Sequence, residues 1–376
     1  MIGKLHTYKV GIFGAGQIGL AIREMLEENS AANMLYVTTY DKFASDSSIV
    51  ELDIPSDINA LKKAVEDNDI IISALPYDVT GLLAEMVIIT GNRVYLDLTE
   101  DVAVAKNLLR KNAEVKENQS IMIPHCGLAP GAVSIIAADL FKGFDKVTDV
   151  KIRVGALPVS ADNALKYNLA WSTSGLVNEY CNPCPAVVDG KSVVLQPLDN
   201  LTSLTIDGAP YEAFNTSGGL GTFGLTLTEN SNRKINGARV FPYINACYQT
   251  IRYPGHRDLM KFLLDDLGFR HRKEELITIF DREIPRTSDD CVIIDIKVTG
   301  KSGMNELATA SYGNAIINDD RFTAIQRTTA GGICAVVYWL VHRLEDDSLA
   351  SFVVDGSIRN EFIPLPQVEG YQYWPF

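Results

Sequence analysis

The sequence predicts an α/β protein in which a doubly wound parallel sheet comes first and a second, mixed α/β domain follows. Three observations carry that expectation. Residues 8–13 have the β-branched and aromatic content of a buried strand, Gly14-Ala15-Gly16-Gln17-Ile18-Gly19 follows as G-x-G-x-x-G, and residues 20–29 continue with helical apolar spacing. Strand-like and helix-like segments then alternate as far as residue 123, the pattern of a parallel sheet with helices on both faces. Past that point the strand-like runs are separated by long connections rich in Gly, Asn and Pro, in a chain of 376 residues that exceeds a usual single domain.

The glycine turn is a dinucleotide-binding fingerprint in its proper context, at the start of a Rossmann sheet. Gly14 permits the tight turn, Gly16 lets the backbone approach a pyrophosphate, and Gly19 lets helix pack on strand; Gln17 and Ile18 lie between these glycines, ahead of the helix whose free N–H groups meet the phosphates. A second strand, residues 35–39, leads to Asp41, 22 residues beyond Gly19, where an acid accepts hydrogen bonds from the adenosine ribose. A carboxylate there repels a 2′-phosphate, so NAD is expected over NADP, a preference that the neighbouring Lys42 weakens without reversing.

Ser56-Asp57 can cap a helix through Asn68, residues 69–74 are a β-rich run, and 79–90 form a helix. Residues 93–97 are the next strand, 101–116 the next helix and 120–123 the last strand of the sheet. Ligands bind beyond the carboxyl ends of such strands, so Leu75-Pro76-Tyr77, Asp97 to Glu100 and Pro124 to Gly127 join the glycine turn and Asp41 as positions of interest. A turn at 127–131 feeds a helix over 132–141. In the second domain, 147–154, 187–194, 204–206 and 292–298 read as strands, and an apolar helix over 330–344 is expected to pack back on the first domain or at a subunit contact.

Composition bounds the function. The net charge of −13, from 34 basic and 47 acidic residues, argues against a nucleic-acid surface and an anionic membrane. No run approaches the roughly 18 apolar residues of a membrane span, and no signal-peptide core precedes the first strand, so a cytoplasmic protein is expected. Six scattered cysteines suit reduced thiols. Cys181-Asn-Pro-Cys184 is a C-x-x-C without the second pair or His cluster of a zinc site, so no metal is expected.

Gly127-Leu128-Ala129-Pro130-Gly131, Ala156-Leu157-Pro158 with Asp162-Asn163, Lys166-Tyr167 with Trp171-Ser172, and Thr250-Ile251-Arg252-Tyr253-Pro254-Gly255-His256 together resemble the saccharopine dehydrogenase family, and within it most the lysine 6-dehydrogenase branch. The resemblance runs from Tyr8 to about Leu344. It implies a Rossmann domain and a second domain that carries substrate contacts and the dimer interface; with the boundary that the change of pattern places near His125, these are residues 1–124, joined by the C-terminal helix and tail 325–376, and residues 125–324. It also implies a homodimer, and pyridine-nucleotide chemistry at a carbon–nitrogen bond of a small amino acid or polyamine. Substrate contacts are implied at Pro76, Tyr77, Asp97, Thr250 and Arg252, with Trp171-Ser172 lining the pocket. Saccharopine-reducing relatives use additional arginines where this chain carries Ser174 and Thr216; without those guanidinium forks a substrate with one carboxylate, lysine rather than saccharopine, is expected.

Oxidising an amine requires the nicotinamide against the substrate carbon, a base for the ammonium proton, and hydrolysis of the iminium. Asp97, at a strand end, is the first candidate base; alternatively it caps the helix near Asp101. His125, which titrates near neutrality, is the second; alternatively it is a structural His on a backbone carbonyl. Arg252 suits a substrate α-carboxylate or a structural ion pair, Tyr77 a substrate or nicotinamide contact or packing, and Trp171 a pocket wall. His256 is an acid–base group or a turn residue, and Lys166 and Glu179 have no assigned step. Cofactor contacts are expected at Gly14, Gly16, Gln17, Ile18, Gly19, Asp41 and Leu75. The leading expectation is NAD-dependent oxidative deamination of the side-chain amine of L-lysine or a close analogue. A saccharopine- or carboxynorspermidine-type reductase is the alternative, and a non-catalytic nucleotide-binding regulatory protein a third.

Overall fold

The structure, a computed structural model, describes residues 7–29, 35–229, 234–303 and 306–345, together with 363 and 365. The rest of the tail assigned above to the first domain lies outside them, as does the side chain of Tyr77. The chain divides into two compact units: one runs to Ile135 and resumes at Gln326, and the other is Ile136–Ile325.

In the first unit β1 (Tyr8–Phe13), α1 (Gln17–Asn29), β2 (Leu35–Asp41), β3 (Ile49–Glu51), α2 (Ile58–Glu66), β4 (Ile70–Ser73), α3 (Tyr77–Thr90), β5 (Val94–Asp97), α4 (Val102–Arg110), α5 (Asn112–Glu117) and β6 (Ile121–Ile123) follow in order. The six strands form one parallel sheet in the order β3-β2-β1-β4-β5-β6, which reverses direction between β1 and β4 and so opens the crevice where such folds bind ligands. Buried Phe13 stacks on Tyr40 at 4.7 Å, within a core that includes Leu61, Ile71, Val87 and Met122. Asp57 caps α2 through Ala60 N, as expected. The helix read over 101–116 is instead two helices broken at Lys111, and the short strand β3 carries too few residues to show a period.

α6 (Ala132–Asp139) leads into the second unit, which contains β7 (Lys146–Pro158), α7 (Thr173–Cys181), β8 (Cys184–Val188), β9 (Lys191–Leu195), β10 (Thr202–Ile206), β11 (Ala209–Asn215), α8 (Phe223–Thr228), β12 (Lys234–Ile235), β13 (Ala238–Arg252), α9 (His256–Lys261), α10 (Lys273–Glu283), β14 (Asp290–Ser302) and β15 (Glu306–Ile317). Its mixed sheet runs β10-β11-β13-β7-β14-β15, with β8 and β12 attached at β13 and β9 paired to β8. The parallel pair is β13 with β7, and the flanking pairs are antiparallel. A cluster of Tyr167, Leu176, Tyr180, Phe214, Met260 and Phe280 packs α7, α9 and α10 together. The run read as one strand over 187–194 is the hairpin β8–β9, because Asp189 and Gly190 take φ of 48° and 73° and reverse the chain.

α11 (Ala324–Glu345) is longer than the sequence suggested, because Asp290 accepts from Ala324 N at 2.6 Å and Ile325 N at 3.0 Å and so caps its first turn. Further along, Cys334 Sγ reaches Ile22 O at 3.8 Å, and Gly332 lies so close to Gly127 that an added Cβ would meet its carbonyl at 2.6 Å. The division between the units falls inside α6 rather than near His125. The segment after β6 is tied to the first sheet by Cys126 N donating to Asp97 O at 2.7 Å. No helix among the described residues is long and apolar enough to cross a membrane.

Candidate active site

The first unit builds its turn from backbone sterics. Gly14 has φ of 109° and a Cβ on it would meet Ala74 O at 2.5 Å; a Cβ on Gly19 would meet Gly14 O at 1.9 Å. Around Gly16 an added Cβ would meet nothing within 4 Å, so the turn is closed on its sheet side and open where a pyrophosphate approaches. Gly16 and Gln17 are exposed, Ile18 is half-buried, and Gly16 O accepts from Leu20 N at 2.9 Å in the first turn of α1. Asp41 ends β2 against this turn: Oδ2 accepts from Ala15 N at 2.7 Å and Oδ1 from Phe43 N at 2.9 Å. Leu75 is half-buried just past β4, its carbonyl accepting from Thr80 Oγ1 at 3.3 Å, and Pro76 is exposed at the start of α3. The open face at Gly16, the helix N-terminus and the acid at the β2 end fit a dinucleotide. Lys42 is exposed and lies over the Phe43 ring at 4.8 Å.

Asp97 is fully buried and both of its carboxylate oxygens accept hydrogen bonds. Oδ1 accepts from His125 N at 2.9 Å and Thr99 N at 3.1 Å, and Oδ2 from Tyr95 Oη at 3.0 Å. Burial pushes its carboxyl up to about 6 despite those donors. Asp97 does not cap the following helix; Asp101 does, accepting from Ala103 N at 2.6 Å. His125 is fully buried and held at φ of 64°, and burial lowers its imidazole to about 4.

In the second unit, Arg252 is 1% exposed at the end of β13. Its Nε donates to Tyr180 Oη at 2.7 Å, and its Nη1 to Thr250 Oγ1 at 3.0 Å and Ile251 O at 2.9 Å. Nη2 faces Glu179 Oε2 at 3.6 Å. Burial raises the Glu179 carboxyl to about 7, outweighing the attraction of Arg252. Tyr180 Oη also meets His256 Nε2 at 3.0 Å, while His256 Nδ1 meets Leu165 O at 2.8 Å. Burial first, then Arg252, lowers His256 to about 3, so it is a neutral member of this network. Trp171 is half-buried, its Nε1 donating to Tyr167 Oη at 2.9 Å. Ser172 caps α7 by accepting from Gly175 N at 3.2 Å, and exposed Ser174 pairs with the Ser172 hydroxyl. Thr216 is buried, and its hydroxyl has no hydrogen-bond partner among the described residues. Lys166 Nζ donates to Pro254 O at 3.0 Å.

Thus the fold gathers the glycine turn, Asp41 and Leu75 at one end of the first sheet, Asp97 with His125 beside them in the same unit, and Thr250, Arg252 and Trp171 around Tyr167 and Tyr180 in the other. Tyr180 as the link between Arg252 and His256 was not anticipated; it carries no motif of its own. All six cysteines are free thiols, and no group of His, Cys, Asp or Glu among the described residues is arranged to hold a metal ion.

Residues 127–341, more than half of the chain, match the family model for the saccharopine dehydrogenase C-terminal domain. The chain belongs to the saccharopine dehydrogenase family. It is 24% identical over 230 residues to the mitochondrial alpha-aminoadipic semialdehyde synthase of Rattus norvegicus, covering 54% of this chain and 24% of that protein. It is 26% identical over 153 residues to the saccharopine dehydrogenase [NADP(+), L-glutamate-forming] of Saccharomyces cerevisiae, covering 39% of this chain and 33% of that one. The chain therefore spans about a quarter to a third of the curated relatives it matches. In fold the likeness runs end to end: apo saccharopine dehydrogenase (L-Glu forming) from Saccharomyces cerevisiae superposes with a TM-score of 0.68 at 15% identity, covering 96% of this chain and 95% of that one.

Proposed function

We propose that this member of the family is an NAD-dependent oxidoreductase that deaminates the side-chain amine of L-lysine or a close analogue, working as a cytoplasmic homodimer. The observation that carries the nucleotide half is the turn that is open only at Gly16, with the Asp41 carboxylate fixed against it. Gly14, Gly16, Gln17, Ile18, Gly19 and Leu75 would hold the dinucleotide, and Asp41 its ribose hydroxyls. Bound NAD supplies the hydride acceptor. The reaction balances as amine (ammonium form) plus NAD and water giving aldehyde, ammonium, NADH and one proton.

The proton-accepting role goes to His125, kept in its neutral, accepting form by burial. Asp97 acts through it: its carboxylate holds the His125 and Thr99 amides and so sets the left-handed backbone at His125. In the second unit Arg252 receives the substrate carboxylate, Thr250 steadies that guanidinium and Trp171 contacts the substrate; in the first unit Pro76 and Tyr77 are the proposed substrate contacts.

A saccharopine-type reductase is the second reading, favoured by the names of the two relatives above. Against it stand Asp41, which disfavours the 2′-phosphate, and Ser174 and Thr216, neither of which can fork onto a further carboxylate. Initial rates with L-lysine, L-ornithine, saccharopine and carboxynorspermidine, each with NAD and NADP, separate the two. Turnover of lysine with NAD is expected; turnover of saccharopine with NADP and none of lysine would replace the first reading by the second.

A further inference from the structure

Arg252 and Glu179 are buried opposite charges that do not complete each other. Three of the guanidinium's N–H groups are committed to Tyr180, Thr250 and Ile251, and the direction of that network is fixed. Leu165 O can only accept, so the hydrogen of His256 lies on Nδ1, and Nε2 accepts from the Tyr180 hydroxyl. The Tyr180 oxygen is then left to accept from Arg252 Nε. Nη2 makes no hydrogen bond among the described residues, and its 3.6 Å separation from Glu179 Oε2 is too long for one. Oε2 is itself buried and has no hydrogen-bond partner among the described residues.

A buried ion pair offsets its desolvation only when it closes into good hydrogen bonds. The same sheet shows what closure looks like. Arg153 Nη1 lies 2.7 Å from Asp295 Oδ2 while its Nε donates to Gln249 Oε1 at 3.1 Å. Arg252 and Glu179 instead each keep one unsatisfied atom facing the other across that 3.6 Å gap, and the Glu179 side chain, 10% exposed, is the more accessible of the two.

We propose that this open pair is a clamp for the zwitterionic head group of an α-amino acid, with Arg252 Nη2 taking the carboxylate and Glu179 taking the α-ammonium. It rests on the reading that the chain acts on an amino acid, and adds to it the second charge that the site recognises. The four charges then alternate around a ring, each between two of opposite sign. A carboxylate alone would leave its neighbour Glu179 repelling it, and an amine alone would face Arg252 in the same way. Only a group carrying both charges on one carbon completes both partners, which selects α-amino acids over ω-amino acids, diamines and simple carboxylates.

The test is calorimetric titration of the protein with NADH present, using L-norleucine, which has the zwitterion and no side-chain amine, and hexanoate, which lacks the α-ammonium. L-norleucine should bind at least about tenfold more tightly than hexanoate. Glu179→Gln should abolish most of that advantage while leaving hexanoate binding unchanged or stronger. Equal binding of the two ligands by the unaltered protein overturns the clamp, whether or not the variant folds. So does a folded Glu179→Gln that weakens both ligands alike, the signature of a purely structural acid. The readout needs no turnover: tight L-norleucine binding by a protein that oxidises none of the amines in the initial-rate panel above would sink the proposed reaction and leave the clamp standing.

Discussion

Two buried acids in this molecule have the same perturbation and opposite surroundings. Burial pushes Asp97 up to about 6 and Glu179 up to about 7. Both carboxylate oxygens of Asp97 are occupied, by Tyr95, Thr99 and His125, whereas Glu179 Oε2 has only a guanidinium nitrogen beyond hydrogen-bonding distance. A raised carboxyl therefore does not by itself mark a reacting group. Glu179 Oε2 is the atom with an interaction still to make, whereas both oxygens of Asp97 already hold neighbouring donors, which fits the proposal that Asp97 sets where His125 sits.

The largest expected effect breaks the cluster around Asp97. Asp97→Ala orphans the donors at Tyr95, Thr99 and His125 and should cost about 3 kcal/mol or more of stability, seen in denaturant unfolding. Asp97→Asn can still accept from both amides and donate to the Tyr95 oxygen; it should cost less than about 1 kcal/mol and change kcat less than tenfold. A folded Asp97→Asn that loses catalysis by orders of magnitude would make Asp97 the base and erase the distinction between the two acids.

Next in size is Arg252→Lys. A lysine cannot reproduce the bonds to Tyr180, Thr250 and Ile251 while presenting a further nitrogen, so KM for the amino acid should rise by about ten- to a hundredfold with KM for NAD unchanged. Equal rises in both would argue that the cluster only supports the fold.

The pH dependence of stability sharpens the contrast further. The folded carboxyl of Asp97, at about 6, lies above its unfolded value, so its contribution is fully present below the unfolded pKa and is lost as pH rises through about 6. Asp97→Asn removes that loss. The melting temperature of the variant should therefore gain on that of the parent between about pH 4 and pH 6.5, and parallel profiles would refute the shift. His256, lowered to about 3, works the other way in both proteins: its contribution is present above about pH 6.5 and declines as pH falls. The smallest effect is expected at Asp41→Ala, which should keep the fold and narrow the preference for NAD over NADP by about tenfold in relative KM. An unchanged ratio would remove Asp41 from the ribose.

The parts of the fold that were legible in the sequence are those governed by neighbours along the chain. The glycine turn is local: Gly14 and Gly19 are required by contacts with Ala74 and with each other. Three hairpin turns carry an equally local signal that the reading of 187–194 as one strand passed over: Asp189-Gly190, Asp207-Gly208 and Asn236-Gly237 all take positive φ. Their Asx-Gly signal marks β8–β9, β10–β11 and β12–β13, and only a hairpin reading would have divided 187–194 correctly. By contrast β13, 15 residues long, is specified by β7, β11 and β8, partners distant in sequence, and its alternation is blurred by burial on both faces toward Arg252. The candidate site follows the same rule. Arg252 was identifiable as a carboxylate or ion-pair residue and Glu179 only as an acid in a motif-rich stretch, because the fold alone brings α7 to the end of β13. The full donor set of Asp97 is hidden for the same reason: two of its donors, Tyr95 and Thr99, are two residues away on either side, but the third, His125, arrives from the segment after β6.

The most direct test of the account is the yield of ammonia per NADH formed when the protein is supplied with L-lysine and NAD. Oxidative deamination of the side-chain amine predicts one ammonia for each NADH. NADH formed without ammonia, or formed only from saccharopine with release of an amino acid, would contradict it.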